Sequence, residues 1–280
     1  MATVFQRTRV VQAWLAAIRH LERQPSHDAT NIILEIATPL VATAEDREVV
    51  RAMTDALQRK KSERTVMTAA GTIFPYSIVR RHGRPEWYSR YKAIMARGMK
   101  PRSWGTYALR MIERKDASGV TFNPLEKIIE KLTAIRTEHL NQYIAAYELG
   151  VCDPSVDFAS GFNGIGLELP TYDPGTDRHM YYGSACLSHV TFKLMHGKID
   201  LTAIYRSHYY AERALGNLIG LAQLQNYVAE ESGYETGVLT CISTYARLDE
   251  GVGGIRSARA LLDTFPMDET LTEESLAVTL

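Results

Sequence analysis

The chain has 280 residues, enough to bury a sizeable core in one large domain or two small ones. Lys and Arg together number 32, as do Asp and Glu, so no net charge attracts nucleic acid or an anionic membrane; 45% hydrophobic and 23% charged residues are typical of soluble globular proteins. The three cysteines form no CxxC pair and no apolar run reaches membrane-spanning length, which argues against a disulfide framework, a metal site or a membrane anchor, and leads us to expect a cytoplasmic protein.

The first half of the chain mixes helical and strand patterns. Apolar residues recur at helical spacing in four segments, namely 8–23, 44–58, 86–99 and 123–149. Acidic residues in the first turn of the second segment and the Asn123-Pro124 pair at the start of the fourth are typical helix beginnings. Two apolar runs predict buried strands, at 31–42 and 64–75, the latter ending at Pro75.

The second half is richer in strand patterns. It is predicted to contain strands from residue 164, an antiparallel hairpin over 189–206 that turns at 196–198, a long buried helix over 209–233 and a last strand over 237–249. Gly233 is expected to end the long helix. We therefore expect one mixed α/β domain over residues 1–280, with the first helix and strands within 1–120 and the hairpin and long helix within about 160–250.

Cys186 is the most informative single residue. It follows the small and aromatic residues "YYGSA" and directly precedes the hairpin, whose second strand ends at Arg206. Because a hairpin returns its second strand beside its first, Arg206 is expected near Cys186, where a guanidinium would lower the thiol pKa and favour a nucleophilic thiolate. The alternative is a buried cysteine that acts only as a small hydrophobic residue, as we expect for Cys152 and Cys241.

The spacing of these residues resembles the thymidylate synthase and pyrimidine nucleotide hydroxymethylase family. That family has a catalytic cysteine, a hairpin with a Gly-Lys turn, an Arg-Ser pair twenty residues after the cysteine and an asparagine on the next helix. The matching residues here are Cys186, Gly197-Lys198, Arg206-Ser207 and Asn217. Upstream, "ERTVMTAAG" resembles the phosphate loop of the family and places Arg64 on its phosphate-binding arginine.

The resemblance implies a fold, an activity and partners. The fold would be a thymidylate synthase-like mixed β-sheet with flanking helices, and two copies would form a homodimer through their sheets. The substrate would be a pyrimidine nucleoside monophosphate, and 5,10-methylenetetrahydrofolate would be the cosubstrate. Cys186 would add to C6 of the base, which makes C5 nucleophilic towards the one-carbon unit. The resemblance implies no metal, membrane or nucleic acid.

Roles for individual residues follow from the same resemblance. Arg206, Ser207 and Arg64 would bind the phosphate, and Asn217 would pair with the edge of a uracil base. Tyr107, in "SWGTYALRM", would be a general acid or base, and Glu86 is the only plausible substitute for the glutamate of an early helix. Each role has an ordinary alternative: a solvated charge run for Arg64, a core hydrogen bond for Asn217 and a packing role for Tyr107.

Several positions depart from the pattern of the family. Tyr209 stands where an aspartate contacts folate, and Arg247 and Asp249 replace the His and Tyr that hold deoxyribose. A CMP, UMP or dUMP-like substrate is therefore expected. Because the changes fall on the folate and sugar side, they favour hydroxymethylation, in which water completes the reaction. Methylation of dUMP by a thymidylate synthase is the alternative. A third possibility, of another class, is a non-catalytic relative that binds a nucleotide or a partner protein.

Overall fold

The computed structural model describes residues 2–60, 65–99, 103–115, 119–138, 168–170 and 185–265. Arg64, Cys152 and most of the predicted region between residues 160 and 184 lie outside the described residues. The same holds for the part of the predicted 123–149 helix that follows residue 138.

The described helices flank the sheet and are numbered in chain order. They are α1 (Val10–Arg23), α2 (Ala44–Arg59), α3 (Val66–Ile73), α4 (Tyr76–His82), α5 (Glu86–Gly98), α6 (Tyr107–Ile112), α7 (Pro124–Thr137), α8 (Leu215–Ser232) and α9 (Ile255–Asp263). A π-helical turn, Tyr210–Ala214, leads directly into α8, and a short 3-10 turn, Glu250–Val252, precedes α9.

The strands form one mixed sheet and one small ribbon. They are β1 (Thr3–Arg7), β2 (Asp28–Ile36), β3 (Arg114–Lys115), β4 (Thr121–Phe122), β5 (Glu168–Pro170), β6 (Leu187–Met195), β7 (Lys198–Tyr205), β8 (His208–Tyr209) and β9 (Glu235–Arg247). The order in the main sheet is β1-β2-β9-β7-β6-β5, with β8 pairing to the end of β9. Strand β9 runs antiparallel to β2 and parallel to β7. The predicted mixed α/β domain with flanking helices is confirmed.

The core lies on the face of the sheet that the helices cover. Along β7 and β9 every second side chain is buried, including Leu201, Ala203, Leu239 and Cys241, as the two-residue period of a strand requires. Helix α8 packs on this face and is itself buried on most of its circumference, which explains the nearly continuous apolar sequence seen there.

The predicted hairpin is present. Strands β6 and β7 pair antiparallel and are joined by His196 and Gly197, whose φ angles of 49° and 78° are those of a tight two-residue hairpin turn. The register shifts between Leu187 and His189, so a β-bulge lies at the start of the hairpin. The long helix also ends as predicted, with Gly233 in the left-handed conformation at φ 80°.

The predicted strand over 64–75 is wrong, because Val66–Ile73 within it form helix α3. Thr65 caps the helix. Its hydroxyl accepts a hydrogen bond from the backbone N–H of Thr68, and the Thr68 hydroxyl accepts one from the backbone N–H of Thr65. The helix is further stabilised by close packing against α8. A Cβ atom placed on Gly216 would lie 2.3 Å from the carbonyl oxygen of Val66, and one on Gly220 would lie 2.6 Å from that of Ala70. Tertiary packing therefore overrides the β-branched pattern.

Candidate active site

Cys186 lies immediately before β6, at the open end of the hairpin. Its backbone carbonyl accepts a hydrogen bond of 2.9 Å from the backbone N–H of Arg206, so the hairpin returns Arg206 to Cys186 as predicted. Cys186 is half-buried, whereas the other described cysteine, Cys241, is fully buried. Burial raises the pKa of the Cys241 thiol to about 12 and keeps it protonated. Of these two cysteines, only Cys186 combines accessibility with a fixed backbone.

The hydroxyl of Tyr107 fixes that backbone from the other side. Its oxygen accepts hydrogen bonds from the backbone N–H groups of Cys186, at 2.8 Å, and Leu187, at 3.1 Å. Tyr107 is the first residue of α6, a helix that Thr106 caps by accepting from the Leu109 N–H. Burial raises the pKa of Tyr107, and the two N–H donors only partly offset this effect. The phenol therefore keeps its proton and, with its oxygen already accepting two bonds, can donate that proton elsewhere.

Tyr205 is the last residue of β7 and is fully buried. Among the described residues its hydroxyl has no hydrogen-bond partner. Burial, followed by the electrostatic effects of Tyr107, Cys241 and Cys186, raises its pKa well above the ordinary value of a phenol. A buried hydroxyl without a partner costs free energy unless a ligand or water supplies one, so Tyr205 marks a polar position beside Cys186 and Tyr107.

A chain of buried polar contacts connects Tyr205 to Asn217. The ring of His208 stacks on that of Tyr205, with centroids 3.9 Å apart and planes 5° from parallel. His208 Nε2 lies 3.1 Å from the Asn217 amide nitrogen, and His208 Nδ1 lies 3.0 Å from the Ser243 hydroxyl. Burial lowers the pKa of His208 from 6.5 to about 3, so the ring is neutral. The predicted base-reading residue Asn217 is thus held by histidine at the same end of the sheet as Cys186.

Two arginines, Arg206 and Arg213, lie at this end of the sheet. Arg206 is exposed and Ser207 is half-buried, and the two residues form the bend between β7 and β8. Arg213, in the π-helical turn, lies 3.8 Å from Glu212 and acts against the burial that raises the pKa values of Tyr107 and Tyr205. Arg213 had not been predicted as a site residue, and its place near the two tyrosines makes it an additional candidate for anion binding.

Tyr209, Arg247 and Asp249 stand at the positions expected to contact the sugar and folate. They lie close together, but their surroundings differ. Tyr209, on β8, pairs with Arg247, on β9, and both are exposed. Asp249 accepts from the backbone N–H groups of Ala211, Glu212 and Gly251 with its two carboxylate oxygens. Burial raises its pKa and the backbone bonds only partly offset this effect. In this structure Asp249 stabilises the π-helical turn.

The described partners of Glu86 are not the residues around Cys186. It is the first residue of α5, is half exposed, and pairs with Arg90 at 2.9 Å and with His82 at 3.5 Å. The hydrogen bond from Arg90 is the largest cause of its lowered pKa. The structure therefore places Glu86 in a surface ion-pair group. Among the predicted residues, described hydrogen bonds join Cys186 to Arg206 and to Tyr107. Asn217 is bonded to His208, whose ring stacks on Tyr205.

Sequence reasoning missed four residues of this region: Tyr205, His208, Arg213 and Ser243. Tyr205 and His208 flank the Arg206-Ser207 pair, so a polar residue on either side of a pair predicted to bind phosphate was a usable signal. Ser243 sits at a buried position of β9, where a hydroxyl requires a partner. The described segments contain no group of three or more His, Cys, Asp or Glu side chains able to hold a metal, and no described helix is long and apolar enough to cross a membrane.

Comparison with known proteins gives partial matches to curated archaeal proteins that carry the name "Putative thymidylate synthase". A protein of Methanosarcina barkeri (strain Fusaro / DSM 804) is 40% identical over 63 residues, which is 22% of this chain and 29% of that protein. A protein of Methanothermobacter marburgensis is 36% identical over 82 residues, or 29% of this chain and 36% of that protein. One of Methanococcoides burtonii is 32% identical over 80 residues, or 29% of this chain and 35% of that protein.

The matched part is short on both sides of each comparison. The chain spans between 29% and 36% of the length of these curated relatives. No family model matches the chain. The similarity therefore supports a thymidylate synthase-like relationship for one part of the chain.

Proposed function

We propose that this protein transfers a one-carbon unit to C5 of a pyrimidine nucleoside monophosphate through a covalent adduct of Cys186. The observation that carries the proposal is the fixed and partly accessible cysteine. Its carbonyl is bonded to the Arg206 N–H, and its own N–H is bonded to the Tyr107 hydroxyl. The similarity to proteins named as putative thymidylate synthases supports the same chemistry.

The proposed reaction balances around the base. The Cys186 thiolate forms an Sγ–C6 bond, and the electron pair of the C5–C6 double bond moves towards C5 and O4 as an enolate. C5 then bonds to the one-carbon unit of 5,10-methylenetetrahydrofolate while one of the two carbon–nitrogen bonds of that unit breaks. The C5 proton leaves to a base, and the second carbon–nitrogen bond breaks, which releases tetrahydrofolate and leaves an exocyclic methylene on C5. Water then adds to this methylene. Release of the thiolate restores the ring double bond. Tyr107, whose hydroxyl retains its proton, is proposed to donate a hydrogen bond to the base or to a water beside it.

Nucleotide binding is assigned to the groups around the hairpin base. Arg206 and Ser207 are proposed to bind the phosphate together with Arg64, because an arginine fork and a hydroxyl suit phosphate oxygens. Asn217 is proposed to read the base. Arg247 is proposed to contact the sugar; Asp249, whose oxygens already accept backbone N–H groups, would do so only by exchanging those bonds.

For the folate cosubstrate we propose a contact with Tyr209. Its side chain is 41% exposed and its residue pairs with Arg247 across β8 and β9, so an aromatic surface lies beside a cation. This combination suits a cosubstrate that has a flat heteroaromatic ring and a tail that ends in carboxylates. The proposed addition to C6 requires Cys186 in its reduced form, which fits the reducing cytoplasm expected from the sequence.

The product is proposed to be hydroxymethyl, with methyl as the alternative. Methylation requires hydride transfer from the folate and yields dihydrofolate, whereas hydroxymethylation requires only that water add to the exocyclic methylene. The residues that differ from the family, Tyr209 and Arg247, are exposed and so would leave water near the folate side. Product mass and dihydrofolate absorbance separate the two outcomes.

A second copy of the chain is proposed to cover the other face of the sheet. Along β7 and β9 most of the side chains that alternate with the core are half-buried, among them Ile204, Val238, Thr240 and Ile242. Ile33 on β2 lies on the same face. A sheet face of this composition suits a symmetric sheet-to-sheet contact. Light scattering at micromolar concentration is expected to give the mass of a dimer, and a monomer would contradict this assignment.

The activity is tested by release of tritium from C5-labelled nucleotides in the presence of 5,10-methylenetetrahydrofolate. We expect release from at least one of UMP, dUMP, CMP and dCMP. Cys241→Ser is the matched control, because this cysteine is fully buried in the hydrophobic core and its replacement should leave release intact. Absence of release from all four nucleotides, with nucleotide binding retained, would favour the non-catalytic alternative.

A further inference from the structure

Four buried polar side chains behind the candidate site form a single connected chain. The amide nitrogen of Asn217 lies 3.1 Å from His208 Nε2, His208 Nδ1 lies 3.0 Å from Ser243 Oγ, and the Tyr210 hydroxyl lies 3.2 Å from the same Oγ. Asn217 is 6% exposed, His208 1% and Ser243 fully buried. Tyr210 is also fully buried. Water therefore cannot readily take the place of any partner, and the four side chains must satisfy one another.

The histidine ring can carry only one proton in this setting. It is neutral, so one ring nitrogen donates and the other accepts. With the amide N–H of Asn217 donating to Nε2, the proton lies on Nδ1 and is donated to the Ser243 hydroxyl. Stacking against Tyr205, at 3.9 Å, holds the plane of the ring. The second amide hydrogen of Asn217 and its carbonyl oxygen remain for a ligand.

We propose that His208 is a positioning residue that fixes the amide orientation of Asn217 and thereby selects a 4-oxopyrimidine nucleotide over a 4-aminopyrimidine nucleotide. The inference rests on the proposed function, because it requires Asn217 to meet the base. A uracil edge presents an N3–H donor and an O4 acceptor, which match the free carbonyl and the free amide hydrogen of Asn217. A cytosine edge presents the opposite order, an N3 acceptor and an amino donor.

Reading cytosine would require the Asn217 amide to turn over. The amide oxygen would then face the unprotonated Nε2, so two acceptors would meet in a buried site. Relief would require the His208 proton to move to Nε2 and the Ser243 hydroxyl to reverse, with Tyr210 following. The amide orientation of Asn217 can reverse only if four groups change together. The preference for uracil should therefore be stronger than that set by an asparagine with only apolar neighbours.

The test compares uracil and cytosine nucleotides on the full chain. Dissociation constants by calorimetry and C5 tritium release are measured for dUMP against dCMP and for UMP against CMP. We expect the wild-type protein to prefer uracil by roughly 100-fold, and His208→Ala to lower that ratio at least about tenfold by freeing the amide. His208→Gln, whose carbonyl can still accept from Asn217, should keep the ratio within about threefold of wild type.

The control is Gln225→Leu. Gln225 lies on the same helix, is fully buried, and donates to the carbonyls of Ile199 and Val238, so its loss should lower the melting temperature and leave the ratio unchanged. Ser243→Ala provides an independent route if His208→Ala does not fold, since it removes the acceptor that holds the proton on Nδ1 and should also lower the ratio.

The outcomes separate this inference from the proposed function. A wild-type ratio in folded His208→Ala or Ser243→Ala, or a wild-type protein that prefers cytosine, would overturn the role of His208 and leave the proposed reaction standing. A wild-type protein that binds neither uracil nor cytosine nucleotides would overturn both.

Discussion

Two polar clusters of this protein can be compared directly, because both are partly buried and both involve tyrosines. The Cys186 cluster consists of Cys186, Tyr107, Tyr205, His208 and Asn217. The Arg84 cluster consists of Arg84, Glu126, Tyr88, Tyr227 and Trp87. In the Arg84 cluster, Arg84 Nε donates to both oxygens of Glu126 at 3.0 Å, Tyr88 donates to Glu126 at 2.6 Å, and Trp87 donates to Tyr227 at 2.9 Å.

The two clusters differ in how their polar groups are satisfied. In the Arg84 cluster, a positive and a negative side chain are paired, and the hydrogen-bond donors named above all have acceptors. Burial acts to raise the pKa of Glu126, but the hydrogen bonds from Arg84 and Tyr88 outweigh this effect and lower it. In the Cys186 cluster, the Tyr205 hydroxyl has no partner among the described residues and Tyr107 retains its proton. A satisfied cluster stabilises the fold, whereas an incomplete one is typical of a site that awaits a ligand. The predictions below test this distinction.

Cys186→Ser should produce the largest change. Because the proposed role of the sulfur is covalent, C5 tritium release should fall at least about 1,000-fold while nucleotide affinity stays within a few-fold of wild type. Parallel measurement of tritium release and of nucleotide binding by calorimetry checks both parts. A variant with near-normal release would mean that the cluster is scaffold like the Arg84 cluster.

Tyr107→Phe should reduce turnover by about 100-fold, since it removes a proton donor and leaves two backbone N–H groups without their acceptor. Tyr91→Phe is the matched control. Tyr91 is equally buried and its hydroxyl lies 2.8 Å from that of Thr106, one residue before Tyr107. It should lose about 1 kcal/mol of stability and keep near-normal kcat. Equal effects of the two variants on kcat would argue against a chemical role for Tyr107.

Glu126→Gln should affect stability and leave chemistry alone. Removing the charge weakens the bonds from Arg84 and Tyr88, and we expect a loss of about 1.5–3 kcal/mol in the free energy of unfolding. Glu130→Gln, one turn along the same helix and paired with Lys127 at the surface, should lose only about 0.3–0.5 kcal/mol. Urea denaturation and tritium release distinguish the effects; a drop in kcat for Glu126→Gln with unchanged nucleotide affinity would contradict the division into two clusters.

The pH dependence of stability should report on His208. Its folded-state pKa is about 3 against an ordinary value of 6.5, so the unfolded chain binds more protons between these values. The contribution of this residue to stability is therefore complete above pH 6.5 and is lost as pH falls towards 3. Over this range the free energy of unfolding should fall with a slope approaching about 1.4 kcal/mol per pH unit, which corresponds to the uptake of one proton on unfolding. Urea denaturation from pH 7.5 to 4.5 measures the slope, and His208→Gln should flatten it. An unchanged slope in His208→Gln would show that other groups control acid stability.

How much of this could be predicted depended on whether a feature was local. The hairpin was predictable, because alternating apolar residues and a turn at His196 and Gly197 determine the return of Arg206 to Cys186. The end of the long helix at Gly233 was predictable for a similar reason. Helix α3 was not, since its stability depends on contact with Gly216 and Gly220, more than 140 residues away in the sequence.

The candidate site divides in the same way. The spacing from Cys186 to Asn217 was readable in the sequence, but the partners that hold Asn217 were not. His208 meets Ser243 only because β8 and β7 run parallel to β9, and this pairing is long-range. Tyr205 and Arg213 are likewise brought towards Tyr107 by the sheet and the π-helical turn, and no local pattern encodes that approach.

The central claim is that Cys186 bonds to C6 of a pyrimidine nucleotide, and trapping the adduct tests it most directly. A 5-fluoropyrimidine nucleotide blocks loss of the C5 substituent, so incubation with this nucleotide and 5,10-methylenetetrahydrofolate should halt the reaction at a covalent complex. Intact mass is expected to rise by one nucleotide plus one folate, peptide mapping should locate the mass on Cys186, and Cys186→Ser should show no rise. A wild-type protein that binds the nucleotide without any gain in mass, or an adduct that persists in Cys186→Ser, would contradict the account.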